Sequence, residues 1–181
     1  QRRQITDDGR LGAQYFQLLA QPGGRVGSLQ QPLSGGDVQH HGGGDEVSTL
    51  QRLYGVESRF SGGRRVTSVI DLEIIRMALS GSANKRLVAA LVDAGVPAVG
   101  VSGEDGALLL AYPLDPDHYG HVGTPSGVNG ALIRHLLSGG YLPVISSLGA
   151  DDDGMVFNIN ADTIAAEIAV QLRAEKLILL S

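Results

Sequence analysis

A short apolar run that passes through polar residues into a helix is the feature that most constrains this chain. The run is Phe157-Asn158-Ile159-Asn160-Ala161-Asp162-Thr163, and it predicts a strand that ends in polar groups where a helix begins. In open α/β sheets, ligand sites lie in the crevice beyond the carboxyl ends of the strands. The run therefore favours an α/β fold with a candidate site at this strand end.

Local structure alone offers a simpler interpretation of the same run. Asn160 is a preferred N-cap residue, and Asp162 in the first helical turn complements the helix macrodipole without any ligand. Asn158 and Asn160 are two residues apart, so both lie on one face of a strand. Local features alone favour the capped helix; the shared face, together with glycine-rich segments upstream that can converge on the same sheet edge, strengthens the case for a binding site, and both interpretations stay open at this point.

The composition argues against several classes of function. The formal net charge is -5 and only 4% of the 181 residues are aromatic, so the chain lacks the basic field and stacking surfaces of nucleic-acid-binding proteins. Cysteine is absent, which excludes disulfides and cysteine-based zinc sites and fits a cytoplasmic setting. No apolar run is long enough to span a membrane. We therefore expect a cytoplasmic protein with no nucleic-acid or membrane partner.

The apolar periodicity predicts alternating helices and strands after residue 44. The predicted helices are 45–53, 68–80, 83–94, 128–137 and 161–174. Ser68 and Asp71 predict a capping box at the start of the second helix, which Gly81 ends. Leu53 is a predicted apolar position of the first helix, and Leu87 and Leu91 are predicted to be buried in the third. The predicted strands are 98–101, 107–111, 142–148, 155–157 and 177–180, the last as a central parallel strand buried on both faces. We expect a loop or hairpin at 57–67, an irregular loop at 112–127, and poor order in a divergent segment, 1–40, that precedes a lobe formed by 41–181.

Two upstream segments are candidates for anion binding. Gly42-Gly43-Gly44 leads directly into a predicted helix, where bare backbone N–H groups would face an anion, although a flexible turn is the commoner role of such a triplet. Arg64 and Arg65 follow a turn, and guanidinium groups suit bidentate capture of a carboxylate or phosphate. The alternative for both arginines is a solvated surface.

A metal site receives less support from the sequence. His118 and His121 lie near Asp115 and Asp117, but a loop His-x-x-His lacks the helical spacing that directs two rings onto one ion. The acidic run 151–153 is more typical of a solvated turn. No metal site is predicted.

Seven separated segments carry a resemblance to a known family. They are His41-Gly42-Gly43-Gly44, Gly63-Arg64-Arg65-Val66-Thr67, Ala83-Asn84-Lys85, Gly100-Val101-Ser102-Gly103-Glu104-Asp105-Gly106, Gly120-His121-Val122-Gly123, Gly140-Tyr141-Leu142-Pro143-Val144-Ile145-Ser146-Ser147, and Asn158-Ile159-Asn160-Ala161-Asp162. Each segment is weak alone, but their order along the chain makes the match specific. Over about residues 41–181 the chain resembles the acetylglutamate kinases of the amino acid kinase family.

The resemblance implies a fold and a reaction. The fold would be a three-layer α/β/α sandwich with a mainly parallel central sheet, here truncated. The reaction would be phosphorylation of the γ-carboxylate of N-acetyl-L-glutamate by ATP with Mg²⁺, a step of arginine biosynthesis, in a homo-oligomer that is a dimer or larger. A carboxylate nucleophile is already ionised, so such an enzyme must position two anions and neutralise charge as the phosphoryl group moves.

The resemblance also implies roles for individual residues. Gly43 and Gly44 would present backbone N–H groups to the substrate and the transferring phosphoryl group. Arg65 would hold the substrate α-carboxylate, and Asn158 would hydrogen-bond the substrate. Asp162 would organise the catalytic lysines of the family rather than act as a base.

Two departures from the family pattern limit what is expected of this polypeptide. Residues 1–40 do not match the family's Lys-x-Gly-Gly segment, as a frameshifted reading frame would explain, and no ATP-binding half is matched. We expect this polypeptide alone to transfer little or no phosphate. The alternatives are a non-catalytic carboxylate-binding or dimerisation module, and a kinase for a uridylate, aspartate or aminoadipate derivative, although the Gly-x-Arg-Val-Thr loop favours an acylated amino acid.

Overall fold

The computed structural model describes residues 17–18, 44–174 and 177–178. The helices are α1 (Gly44–Leu53), α2 (Val69–Arg76), α3 (Asn84–Asp93), α4 (Pro116–Tyr119), α5 (Gly130–Ser138) and α6 (Ala161–Leu172), with a π-helical segment at Met77–Ala83 and a 3₁₀ turn at Asp105–Ala107. The strands are β1 (Gln17–Leu18), β2 (Arg59–Ser61), β3 (Arg64–Val66), β4 (Ala98–Ser102), β5 (Leu109–Pro113), β6 (Val122–Val128), β7 (Leu142–Ser146), β8 (Leu148–Ala150), β9 (Val156–Ile159) and β10 (Leu177–Ile178). Apart from 17–18, the predicted poor order of 1–40 falls outside the described residues.

The strands pair in several small sheets. β4 and β7 are parallel, and β2 and β3 form the hairpin predicted at 57–67. β5, β6, β9 and β8 close on one another in that order, with antiparallel β5–β6 and β8–β9 pairs and parallel β5–β8 and β6–β9 pairs. The α/β class is therefore confirmed, but the described strands do not form one mainly parallel sheet.

The prediction of a central parallel strand at 177–180 is wrong in the part that the structure describes. β10 pairs antiparallel with β1, with Leu177 opposite Leu18. A continuous apolar run indicates burial, but it carries no information on the direction of the partner strand.

In the part of the chain that the structure describes, the apolar core has two clusters, on opposite faces of β9. Successive strand residues point to opposite faces, and Val156 and Phe157 accordingly belong to different clusters. The first cluster, between the closed strands, α5 and α6, is Leu108, Leu109, Ala111, Ile133, Phe157, Ile159, Ile164 and Ile168. The second, beneath α1 and α2, is Val47, Leu72, Ile75, Ala78, Leu148 and Val156. Helices thus cover both faces of β9.

One helical run extends from α2 through the π segment into α3, so the predicted helix end at Gly81 is wrong. Gly81 does not adopt the left-handed conformation that commonly ends a helix, and the Asn84 N–H donates to the Gly81 and Leu79 carbonyls. Leu87 and Leu91 on α3 are half-buried rather than buried.

The predicted irregular loop at 112–127 contains regular structure. Asp115 caps α4 by accepting a hydrogen bond from the His118 N–H at 3.2 Å, and Pro116 occupies the first turn, where it is favoured. β6 is a strand despite Pro125, which lies where the β5–β6 register shifts; a proline is tolerated at such an irregularity. Pairing with β5, which the local sequence does not encode, makes this segment regular.

The helix starts follow local sequence signals. Ser68 and Asp71 form the predicted capping box at α2, and the Asn160 side chain caps α6. In the part of the chain that the structure describes, no helix combines the length and apolar character needed to cross a membrane.

Candidate functional site

The Arg65 guanidinium is the centre of a polar cluster between the β2–β3 hairpin and α1. Its Nη2 donates to the Gly44 carbonyl at 3.1 Å and to Ser48 Oγ at 2.9 Å. Its Nη1 donates to Ser58 Oγ at 2.8 Å and to Gln51 Oε1. The structure thus brings Arg65 against Gly44 at the N-terminus of α1.

The environment of Arg65 holds the guanidinium in place without neutralising it. Its Cζ lies 4.7 Å from the centroid of the Phe60 ring, a cation–π contact. Partial burial lowers the pKa of Arg65, and the nearby Asp71 carboxylate, the smaller influence, raises it. Because the ordinary arginine pKa is far above neutrality, the group stays charged at physiological pH, and ligand binding should not vary with pH through Arg65.

Gln51 connects Arg65 to the start of α2. The Gln51 side chain is fully buried, and its Oε1 accepts from Ser58 Oγ at 2.5 Å as well as from Arg65. Its Nε2 donates to Asp71 Oδ1. The other carboxylate oxygen of Asp71 accepts from the Ser68 N–H at 2.9 Å and from Ser68 Oγ at 2.5 Å.

Asn158 is linked to Arg65 through Thr67. Asn158 Nδ2 donates to Thr67 Oγ1 at 3.3 Å, and Thr67 Oγ1 donates to the Arg65 carbonyl at 3.2 Å. The fully buried Thr67 is itself fixed by its backbone, whose N–H donates to the Tyr119 carbonyl at 2.9 Å and whose carbonyl accepts from the His121 N–H at 2.7 Å. The end of β9 and the base of the hairpin are therefore joined.

The remaining predicted site residues are placed differently. Asp162 is exposed in the first turn of α6, and among the described residues no hydrogen bond or ion pair joins it to Arg65 or Asn158. Asn160 accepts from the Thr163 N–H at 3.0 Å and from Thr163 Oγ1 at 3.1 Å, so its side chain is used as a cap. Gly43 lies outside the described residues.

Most of the polar groups around Arg65 were not predicted as site residues from the sequence. They are Ser48, Gln51, Ser58, Thr67 and Asp71. The sequence did indicate that Gln51 is buried, because it lies four residues after Val47 and therefore on the same face of the helix. The predicted apolar position Leu53 is instead 77% exposed.

Neither histidine of the 112–127 segment is part of a metal-binding cluster. Among the side chains that the structure describes between residues 44 and 174, no group of three or more His, Asp or Glu is arranged to hold a metal ion. His118 Nε2 is 2.8 Å from Ser61 Oγ, to which it is hydrogen-bonded, and the His121 ring centroid lies 6.5 Å from that of Phe157.

Comparison with known proteins identifies relatives over most of the chain. The acetylglutamate kinase of Acaryochloris marina is 47% identical over 141 residues, which are 78% of this chain and 50% of that protein. The acetylglutamate kinase of Synechococcus elongatus is 48% identical over 78% of this chain and 47% of that protein. The chain spans about half the length of these curated relatives.

Solved structures share the fold. The crystal structure of smu.665 from Streptococcus mutans has a TM-score of 0.70 and 32% identity over 73% of this chain and 54% of that one. N-acetylglutamate synthase from Neisseria gonorrhoeae, solved with coenzyme A and N-acetyl-glutamate, has a TM-score of 0.58 and 26% identity over 72% of this chain and 30% of that one.

The match to a family model covers far more of the chain than the seven short segments that suggested the resemblance. The model of the amino acid kinase family matches residues 39–181, and the predicted resemblance to acetylglutamate kinases is confirmed. The chain belongs to the amino acid kinase family.

Proposed function

We propose that this chain is the substrate-binding lobe of an acetylglutamate kinase, which phosphorylates the γ-carboxylate of N-acetyl-L-glutamate with ATP. The observation that carries the proposal is a chain of hydrogen bonds: the Arg65 guanidinium contacts Gly44 at the N-terminus of α1, and the Arg65 backbone carbonyl is linked through Thr67 to Asn158 on β9. Its relatives named acetylglutamate kinase support the choice of substrate. Because the chain spans about half of those relatives, the activity is proposed for the whole protein.

The chemistry of these groups suits a dicarboxylate substrate. Arg65 is assigned to the α-carboxylate. Its two terminal nitrogens donate to four protein acceptors, so a carboxylate that forms two parallel hydrogen bonds, through Nε and one Nη, must replace one of these acceptors. Asn158 is assigned to a neutral polar group of the substrate, and the N–H groups of Gly43 and Gly44 to the reacting end. The γ-carboxylate needs no general base because it is already ionised, so positioning and charge stabilisation are the main tasks.

The described residues are assigned no part in holding Mg²⁺ or the nucleotide. Mg²⁺ prefers oxygen ligands, and the described side chains offer no cluster of carboxylates for a protein-bound ion. We infer that Mg²⁺ arrives on the ATP phosphates, where it would supply charge neutralisation. Asp162, exposed beside the end of β9, is assigned to orienting catalytic lysines, as the family resemblance implies.

The proposal also covers the layered architecture, the oligomeric state and the cellular location of the protein. The half-buried β4 and the largely exposed α3 are the surfaces that further strands and helices would cover in a complete three-layer α/β/α sandwich. We further infer a homo-oligomer, a dimer or larger, and a cytoplasmic location.

Substitution of Arg65 tests the proposed substrate contact. Titration calorimetry of the 181-residue chain with N-acetyl-L-glutamate should detect binding, and Arg65→Met should weaken it roughly tenfold or more, because a hydrogen bond to a charged group contributes about 1.5–3 kcal/mol. Arg64→Met removes an equal charge from the exposed neighbouring position and is the matched control. Equal loss in both variants would contradict the assignment of Arg65.

A second candidate is a carboxylate-binding module without kinase activity. It is favoured by the structural similarity to a protein named as a synthase that was solved with N-acetyl-glutamate bound. An assay of ADP formation with Mg-ATP and N-acetyl-L-glutamate separates the two. The kinase proposal requires ADP formation by the complete protein and little or none by this chain alone, whereas acetylglutamate binding without ADP formation by the complete protein supports the module.

A further inference from the structure

The groups that contact Arg65 carry no formal charge. The acceptors of its guanidinium are a backbone carbonyl, two hydroxyls and the amide oxygen of Gln51. Among the described residues no carboxylate forms an ion pair with Arg65; the nearby Asp71 is bonded to the far side of the Gln51 amide instead. A neutral residue thus separates the positive group from the negative one.

The partners of Gln51 fix the orientation of its amide. Asp71 accepts hydrogen bonds from Ser68 and from Gln51, so the NH₂ end of Gln51 must face it. The oxygen end must then face Arg65, which can only donate. Because the Gln51 side chain is fully buried, water does not compete for these bonds.

A neutral acceptor at this position has a consequence for ligand binding. A carboxylate at the same place would orient Arg65 equally well, but it would also neutralise the guanidinium and repel an incoming anion. The amide orients the guanidinium, and the more distant Asp71 carboxylate offsets its positive charge only in part, which favours an anionic ligand.

We propose that Gln51 is a positioning residue whose neutral amide orients Arg65 and keeps its positive charge available to the α-carboxylate of the substrate. The inference rests on the proposed function, in which Arg65 binds that carboxylate. Gln51 itself is buried and is not assigned a contact with the substrate.

Gln51→Glu tests the role of charge, because glutamate keeps the length of the side chain and an acceptor for Arg65. Calorimetry should show N-acetyl-L-glutamate binding weakened roughly tenfold or more, the size of one charged hydrogen bond. Binding of N-acetyl-L-isoglutamine, in which a carboxamide replaces the α-carboxylate, should change by less than about twofold, since it has no carboxylate for Arg65. Gln171→Glu, at an exposed position on α6, makes the same change in net charge and should leave both affinities unaltered.

Two results would overturn the charge argument. One is equal weakening of both ligands by Gln51→Glu, which indicates general damage to the fold. The other is weakening by Gln171→Glu that matches Gln51→Glu, which indicates a long-range effect of net charge.

A ligand-free measurement separates failure of this inference from failure of the proposed function. In ¹⁵N NMR spectra of the unliganded chain, rotation of the Arg65 guanidinium should be slow in the natural sequence and faster in Gln51→Met, a variant of similar length without the acceptor. Equal rotation rates overturn the positioning role. Slow rotation that Gln51→Met accelerates, in a chain that does not bind N-acetyl-L-glutamate, supports positioning by Gln51 and contradicts only the proposed function.

Discussion

Gly103 lies in one of the segments that carry the family resemblance, and the structure gives it a packing role. A Cβ at Gly103 would lie 1.7 Å from the Leu148 carbonyl oxygen and 2.5 Å from Leu109 Cδ1. The Gly103 carbonyl also accepts from the Leu109 N–H at 2.8 Å. Only glycine therefore allows the chain after β4 to run so close to β8.

Gly103→Ala is expected to destabilise the protein by roughly 1–3 kcal/mol, the usual cost of overpacking a tight interior site. Denaturant unfolding, followed by circular dichroism, measures the free energy of unfolding. Gly81→Ala is the matched control, because nothing lies within 4 Å of a Cβ built at Gly81. It should be neutral or stabilise by up to about 1 kcal/mol, since alanine favours helix over glycine. Equal destabilisation by the two variants would contradict the packing role.

At the level of elements, the start of α2 is tied to the candidate site. Asp71 completes the capping box with Ser68 and also accepts from Gln51, which holds Arg65. The Asp71 side chain therefore fixes the first turn of α2 and, through Gln51, also helps to hold the Arg65 guanidinium.

Ser68→Ala should lower the free energy of unfolding by about 1 kcal/mol, the typical contribution of an N-cap side chain. Ser68→Thr keeps the hydroxyl and should lose much less. Denaturant unfolding of both variants provides the comparison. A threonine variant as unstable as the alanine variant would show that the hydroxyl is not what stabilises the helix start.

The features predicted correctly from the sequence are those that depend on neighbouring residues in the chain. The Ser68 capping box, the Asn160 cap and the arginine hairpin each depend on residues within a few positions of one another. The regularity of β6 depends on pairing with β5, and the antiparallel pairing of β10 depends on β1; neither partner is encoded nearby. Gln51 was missed for a similar reason, because a polar residue on a buried helix face is explained only by its distant partners Arg65 and Asp71.

In the whole molecule, β9 couples the two apolar clusters. Phe157 is 2% exposed and faces the cluster beneath α5 and α6. Leu148 on the paired strand β8 is fully buried in the cluster beneath α1 and α2. Because β9 contributes residues to both clusters and pairs with β8, the two clusters should unfold together.

Phe157→Ala and Leu148→Ala test this coupling from the two sides. We expect losses of about 3–5 and 2–5 kcal/mol respectively, from lost burial and residual cavities. Amide hydrogen exchange at Ile133 and at Val47, one in each cluster, should accelerate to a similar extent in both variants. Met155→Ala, at a 52% exposed position, is the control and should change little. Faster exchange confined to the mutated cluster would show that the clusters unfold separately.

The π segment sets the rotational phase of α3 relative to α2. A π turn holds one residue more than an α-helical turn, and an α-helix rotates by about 100° per residue. Loss of one residue from 77–83 would therefore turn the π turn into an α-helical turn and leave Asn84 facing the Val144 carbonyl, to which its Nδ2 donates at 2.9 Å, and Lys85 facing the Gly100 carbonyl. Loss of a second residue has no such reserve: it would rotate α3 by about 100° and turn both side chains away from the β4–β7 pair.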